Sequence, residues 1–137
     1  MGSVKSILTP EMSGGVYYQF HVNDIVKYIL SRYPKQYLDS VTKLVVHLNL
    51  DGLPVFRSTK TCLWPLLITI RNLVPNVVAP LVLWLGRSKP NNLNFLLESI
   101  EGLQSLMEEN LEVEGKIYNV LVDAVVSSET AIFNQIL

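Results

Sequence analysis

Apolar residues fall into blocks whose spacing changes along the chain. Between Val22 and Tyr33 they recur at Val22, Ile25, Val26, Ile29, Leu30 and Tyr33, the three- and four-residue steps of one helix face. Pro34 closes that helix, because proline has no N–H to continue the ladder and crowds the preceding turn. Upstream, Gly14–Phe20 couples turn glycines to aromatics and predicts a short strand or extended lead-in. Lys43–Leu50 (KLVVHLNL) is dense in branched aliphatics and predicts a strand entering a turn signal at Asp51-Gly52. Thr61–Ile70 and Val77–Leu85 are nearly continuous apolar runs, the composition of strands covered on both faces. Helical spacing returns at Leu93, Leu96, Leu97, Ile100, Leu103 and Met107. Asn91 or Asn92 is available as the cap, and Glu98, Glu101, Glu108 and Glu109 populate the solvated side. After Gly115, Lys116–Val122 (KIYNVLV) predicts another strand, running into Asp123. Ser127 or Ser128 is placed to cap a last helix to Leu137, with Glu129 favourable in its first turn.

This order predicts an α/β (α+β) layer architecture. A lead-in strand and helix occupy residues 1–40, and three strands, a helix, a strand and the start of a further helix occupy 41–137. Three consecutive strands most simply form an antiparallel meander, whereas a strand reached through a helix can pair in parallel.

Residues 63–85 approach the length and apolarity of a membrane span. Arg71 stands near their centre, and Pro65, Pro75 and Pro80 interrupt them. A central arginine costs about 2.5–3.5 kcal/mol on insertion. Two buried strands joined through Asn72–Asn76 carry no such cost, so no membrane partner is expected.

Composition narrows the class. With 137 residues, 49% apolar and 17% charged, the chain is neither a disordered tail, a coiled coil nor a collagen-like fibre. The net charge of −1 conceals a split: residues 1–90 carry ten Lys/Arg against four acids, and residues 91–137 carry Lys116 against eight. Cys62 is the only cysteine, so an intrachain disulfide and a thiolate zinc site are both excluded. The N-terminal ten residues lack the apolar core of a secretory signal, and with the lone cysteine this points to the nucleus or cytoplasm.

Two aspartates follow predicted strands. Period-two alternation puts Val45, His47, Asn49 and Asp51 on one face of the first strand, and Ile117, Asn119, Leu121 and Asp123 on one face of the later one. Ligands of open α/β sheets gather at strand ends. If the strands are neighbours, Asp51 and Asp123 converge there as hard oxygen ligands for Mg2+, the chemistry of metal-assisted phosphodiester cleavage. The competing reading is that each is an ordinary turn aspartate, which two acids alone do not exclude. His47, alternating with leucines and valines, reads as a hydrogen-bonded core or rim residue, and Trp64 and Trp84 read as core.

The segment Leu48-Asn-Leu-Asp-Gly-Leu-Pro-Val-Phe-Arg-Ser58, followed by Leu63-Trp-Pro65, resembles a stretch of CACTA-type (En/Spm-like) DNA transposases. The resemblance takes in Gly15-Val-Tyr-Tyr-Gln-Phe20 upstream and Gly86, Lys89-Pro90 and Asn94-Phe95-Leu96 downstream, covering residues 14–124 in order. It implies a ribonuclease-H-like fold: three antiparallel strands, a helix and a parallel fourth strand, with metal-binding acids on the first and fourth. By that resemblance Asp51 is the first catalytic metal ligand and Asp123 the second, although the family's Asp-Ala-Pro-Ala block reads Asp123-Ala124-Val125-Val126 here. The family's third acid has no counterpart by Leu137, and Glu129 lies too close to Asp123 to take its place.

The expectation is therefore a transposon-derived fragment, the N-terminal half of a transposase catalytic domain, inactive alone. Mg2+ would bind weakly or not at all, and DNA would be met by Lys27, Arg32, Lys35, Lys43, Arg57, Lys60, Arg87 and Lys89 unless these only solubilise an apolar sheet. The alternative is an interaction module that self-associates through an exposed edge of the fourth strand. A third reading is a nuclease whose acids are shared between two chains.

Overall fold

The computed structural model describes residues 5–8, 15–56, 61–88 and 90–127. The elements are β1 (Lys5–Leu8), β2 (Gly15–Gln19), α1 (Val22–Ser31), α2 (Lys35–Leu38), β3 (Lys43–Leu50), β4 (Leu53–Phe56) and β5 (Thr61–Ile70). They continue with β6 (Val78–Gly86), a 3-10 turn at Asn94–Leu96, α3 (Leu97–Glu109), β7 (Leu111–Val113) and β8 (Lys116–Ser127). The predicted helix to Leu137, Glu129, and the cations Arg57, Lys60 and Lys89 lie outside the described residues.

The strands form one mixed sheet in the order β1-β2-β6-β5-β3-β8-β7, with β4 attached to β5. β3, β5 and β6 make the expected antiparallel meander. β8, reached through α3, lies beside β3 and runs parallel to it, from Lys43↔Asn119 to Leu50↔Ser127. Residues 63–85 are two strands, and no helix among the described residues is long and apolar enough to cross a membrane. Asparagines fasten the connection between them. Asn76 Nδ2 donates to the carbonyls of Ile70 and Leu73, and Asn72 donates to the Lys43 carbonyl while accepting the Val45 N–H.

Asp51-Gly52 does not turn the chain, contrary to its sequence signal. β3 pairs with β5 up to Leu50↔Leu66, and β4 resumes the same antiparallel register at Leu53↔Leu63. Asp51-Gly52 is thus an interruption within one long ladder. Gly52 is required there because a Cβ would lie 2.5 Å from Cε2 of Trp64, whose indole occupies the space across the strand pair. β4 escapes prediction because it is only four residues long and contains Pro54, which suits an edge.

The lead-in shares the sheet and core of the rest. β2 pairs with β6, and α1 buries Val22, Ile25, Val26, Ile29 and Leu30, the stripe its spacing predicts. α3 begins after Asn92, whose Oδ1 accepts the Asn94 N–H, and buries Ile100, Leu103 and Leu106. α1 lies over β6 and α3 over β8, and the two helices touch each other. Beneath them the sheet presents Leu44, Val46, Leu48, Leu50, Leu66, Ile68, Ile70 and Trp84, all essentially inaccessible to water.

The opposite face departs from expectation. Near-continuous apolarity in β5 and β6 predicts cover on both sides, but α1 and α3 cover only one. On the other side Tyr18, Val78, Leu85, Ile117, Leu121 and Val126 are exposed among the described residues. The apolar runs alone do not reveal this, since burial on one face and exposure on the other leave the same sequence.

Candidate functional site

The parallel β3–β8 pair carries both predicted acids, and its register decides their relationship. Val46 pairs with Val122, but His47 pairs with Ala124, so β8 holds one extra residue at that level. The extra residue is Asp123. A bulge of this kind bends its strand and re-aims a side chain, and here it delivers the carboxylate to the uncovered face between His47 and Arg71. Oδ1 accepts from His47 Nε2 at 2.8 Å, and Oδ2 accepts from Arg71 Nε at 3.1 Å. His47 comes from the middle of β3. Arg71 follows the last residue of β5, and its backbone N–H donates to the Val45 carbonyl, which fixes its level on the sheet.

The cluster is half-buried: Asp123 and His47 keep 27% and 33% of their side-chain surface, and Arg71 keeps 55%. A carboxylate accepting from two donors in partial desolvation gains charge-assisted hydrogen bonds stronger than exposed ion pairs. Nε2 is the donating nitrogen in this arrangement, which leaves Nδ1 as the basic atom when the ring is neutral. His47 is thus the hydrogen-bonded rim residue its pattern predicts. Trp84 is fully buried and Trp64 nearly so, as core residues.

Asp51 stands elsewhere. It lies one residue beyond the Leu50↔Ser127 pair, four residues further along β3 than His47. At about 3.3 Å per residue this places it roughly 13 Å along the strand from the level of Asp123. Asp51 is exposed, and its Oδ1 accepts the N–H of Gly52 at 3.0 Å. The strands are neighbours, as the shared-site expectation requires, yet the carboxylates do not converge. Ligands of one Mg2+ each lie about 2.0–2.1 Å from it, a span that short aspartate side chains at this separation do not meet. Asp123 also has both oxygens engaged, one by His47 and one by Arg71. The pair does not fit a shared magnesium ion, and no group of three or more His, Cys, Asp or Glu side chains among the described residues is arranged to hold a metal.

No protein-family model matches the chain, and no curated protein is significantly similar to it.

Arg71 is the member of this cluster that the sequence reading does not select. Its signal is present: it is the sole charge within the apolar run 63–85, at the end of a strand that pairs with β3. Nothing in that run tells which carboxylate receives it, because the partner lies 52 residues away.

Proposed function

We propose that this chain is a segment of a ribonuclease-H-like domain of CACTA-type DNA transposase ancestry, which cleaves no phosphodiester bond by itself. The observation that carries this reading is the strand order β6-β5-β3-β8, a meander whose first strand pairs in parallel with a fourth reached through a helix. Asp51 directly follows the first of these strands and Asp123 lies on the fourth. The close fit of Gly52 against Trp64 adds support, since it gives the Asp-Gly…Trp-Pro block a structural reason to travel together. Inactivity follows from the separation of the two acids and from the engagement of Asp123 by His47 and Arg71. Two measurements test the proposal. Nuclear Overhauser contacts between Val45 and Leu121 are expected from the parallel register, and an antiparallel β8 overturns the ancestry. Supercoiled plasmid incubated with the chain and Mg2+ or Mn2+ is expected to stay intact, and cleavage that disappears in Asp51→Asn overturns the inactivity.

A second reading, self-association between two copies of the chain, is favoured by the outer edge of β8. β7 pairs only with Lys116–Tyr118, so among the described residues no strand covers that edge from Val120 to Val126. Unpaired N–H and C=O groups along such a length template another strand, and Leu121 and Val126 beside them are exposed apolar residues.

A further inference from the structure

The second half of α1, the short α2 and the β7–β8 hairpin border a cleft of about 540 Å³. Leu30, Tyr33, Leu38 and Val113 give it an apolar lining, and Tyr118 enters the lining from β8. Tyr118 is only 3% exposed. Its hydroxyl makes no hydrogen bond among the described residues, yet it is not sealed in the core as Gln19 Oε1 and Trp84 Nε1 are. The two carboxylates that act on the phenol, Asp39 and Glu114, both line the cleft, so the hydroxyl end of the ring is turned towards it. Burial first, and then those two acids, raise the phenol above its usual value near 10. The group therefore stays an O–H donor at neutral pH.

We propose that this cleft binds a small monocarboxylate with an apolar body, of the arylalkanoate class. The charges around the phenol set the sign of the ligand. Lys116 Nζ lies 5.0 Å from the centroid of the Tyr118 ring and donates to the Leu38 carbonyl. The ammonium is thus held in place by groups that do not neutralise it. Lys27 stands one turn before Ser31 on the face of α1 that borders the cleft. Neither Lys27 nor Lys116 has a carboxylate partner among the described residues, whereas Lys35 and Glu114 neutralise each other at 3.3 Å. Lys27 and Lys116 against Asp39 leave one net positive charge, which a monoanion balances. A phosphate dianion brings a second negative charge beside Asp39 and Glu114. A carboxylate accepts from the Tyr118 hydroxyl and from an ammonium, and hydrogen bonds to an ion are the stronger kind. The body of the ligand then lies against Leu30, Leu38 and Val113, an apolar lining with few polar groups, as small-molecule sites have. The cleft uses neither Asp51 nor Asp123, so this inference stands apart from the ancestry proposed above.

The test is titration of the isotope-labelled chain with 3-phenylpropionate at neutral pH, followed at the Tyr118 ring and the Lys27 and Lys116 backbone amides. Saturable shifts at all three are expected. The neutral 3-phenylpropionamide keeps the shape and loses the charge, and acetate keeps the charge and loses the body. Each is expected to bind at least tenfold more weakly, and phenyl phosphate is expected to bind more weakly than the carboxylate. Tyr118→Phe, which removes only the hydroxyl, and Lys27→Gln, at an exposed helix position, are each expected to weaken the probe several-fold. Lys27→Gln leaves the packing untouched and carries the test if Tyr118→Phe fails to fold. Absence of saturable shifts, equal binding of the amide or of acetate, tighter binding of phenyl phosphate, or unchanged binding in either folded variant each overturns the proposal.

Discussion

Asp123 faces His47 because β8 carries one residue more than β3 at that level, and the resulting hydrogen bond spans 2.8 Å from His47 Nε2 to Asp123 Oδ1. A regular parallel register would have put Asp123 level with His47 as an ordinary pair. The bulge instead frees it from the ladder and lets Arg71 approach from the other side. Asp123→Ala is expected to lower stability by about 1 kcal/mol, the scale of a partly exposed charge pair. In a double-mutant cycle with Arg71→Ala, urea unfolding should give a coupling of about 0.5 kcal/mol or more that shrinks as salt is added. A coupling near zero at low salt would mean that the two side chains do not hold the bulge together.

Gly52 and Trp64 offer a sharper test of packing. A methyl group at position 52 meets the indole of Trp64 within van der Waals distance, so Gly52→Ala is expected to destabilise by about 1–3 kcal/mol. Trp64→Leu removes the obstacle at a cost of its own. The double variant should then be more stable than the sum of the two losses predicts, read from chemical denaturation.

Tyr33 and Tyr118 are expected to make the fold sensitive to alkaline pH. Burial is the main cause raising each phenol above its usual value near 10. Tyr37 adds to it at Tyr33, where a backbone interaction with Val77 opposes, and Asp39 and Glu114 add to it at Tyr118. A folded pKa above the unfolded one means that folding favours the protonated phenol. The contribution is fully present below about pH 10 and is lost as pH rises through the unfolded and then the folded value. Thermal midpoints are expected to be flat up to about pH 9.5 and to fall above pH 10. Tyr118→Phe should lessen that fall, and an unchanged slope would locate the alkaline sensitivity elsewhere.

Leu121 and Val126 stand exposed on the open face beside the outer edge of β8. If that edge joins two copies, Leu121→Lys with Val126→Lys should shift a concentration-dependent dimer to monomer in sedimentation velocity. Stability at low protein concentration should change by less than about 1 kcal/mol, because neither side chain is buried. A chain that stays monomeric at high concentration before substitution removes the self-association reading.

The sequence by itself determined the longer elements and much of the core, but not the short β1, α2, β4 and β7. Helical spacing from Val22 to Tyr33 produced α1, and the stripe from Leu93 to Met107 produced the 3-10 turn and α3. Aliphatic runs produced β3, β5, β6 and β8, because branched and aliphatic residues in short runs favour strands. Alternation also put His47 and Asp123 each on one face of its strand, where they meet, whereas Asp51 lies just beyond the end of β3. What it left open was long-range register. Whether Asp123 meets Asp51 or His47 depends on how two strands some 70 residues apart slide against each other and where one of them bulges. That choice is made by packing of Val122 and Val125 against the shared core, and no local pattern encodes it. The same holds for the open face of the sheet, a relation between distant segments decided only once the helices had settled on one side.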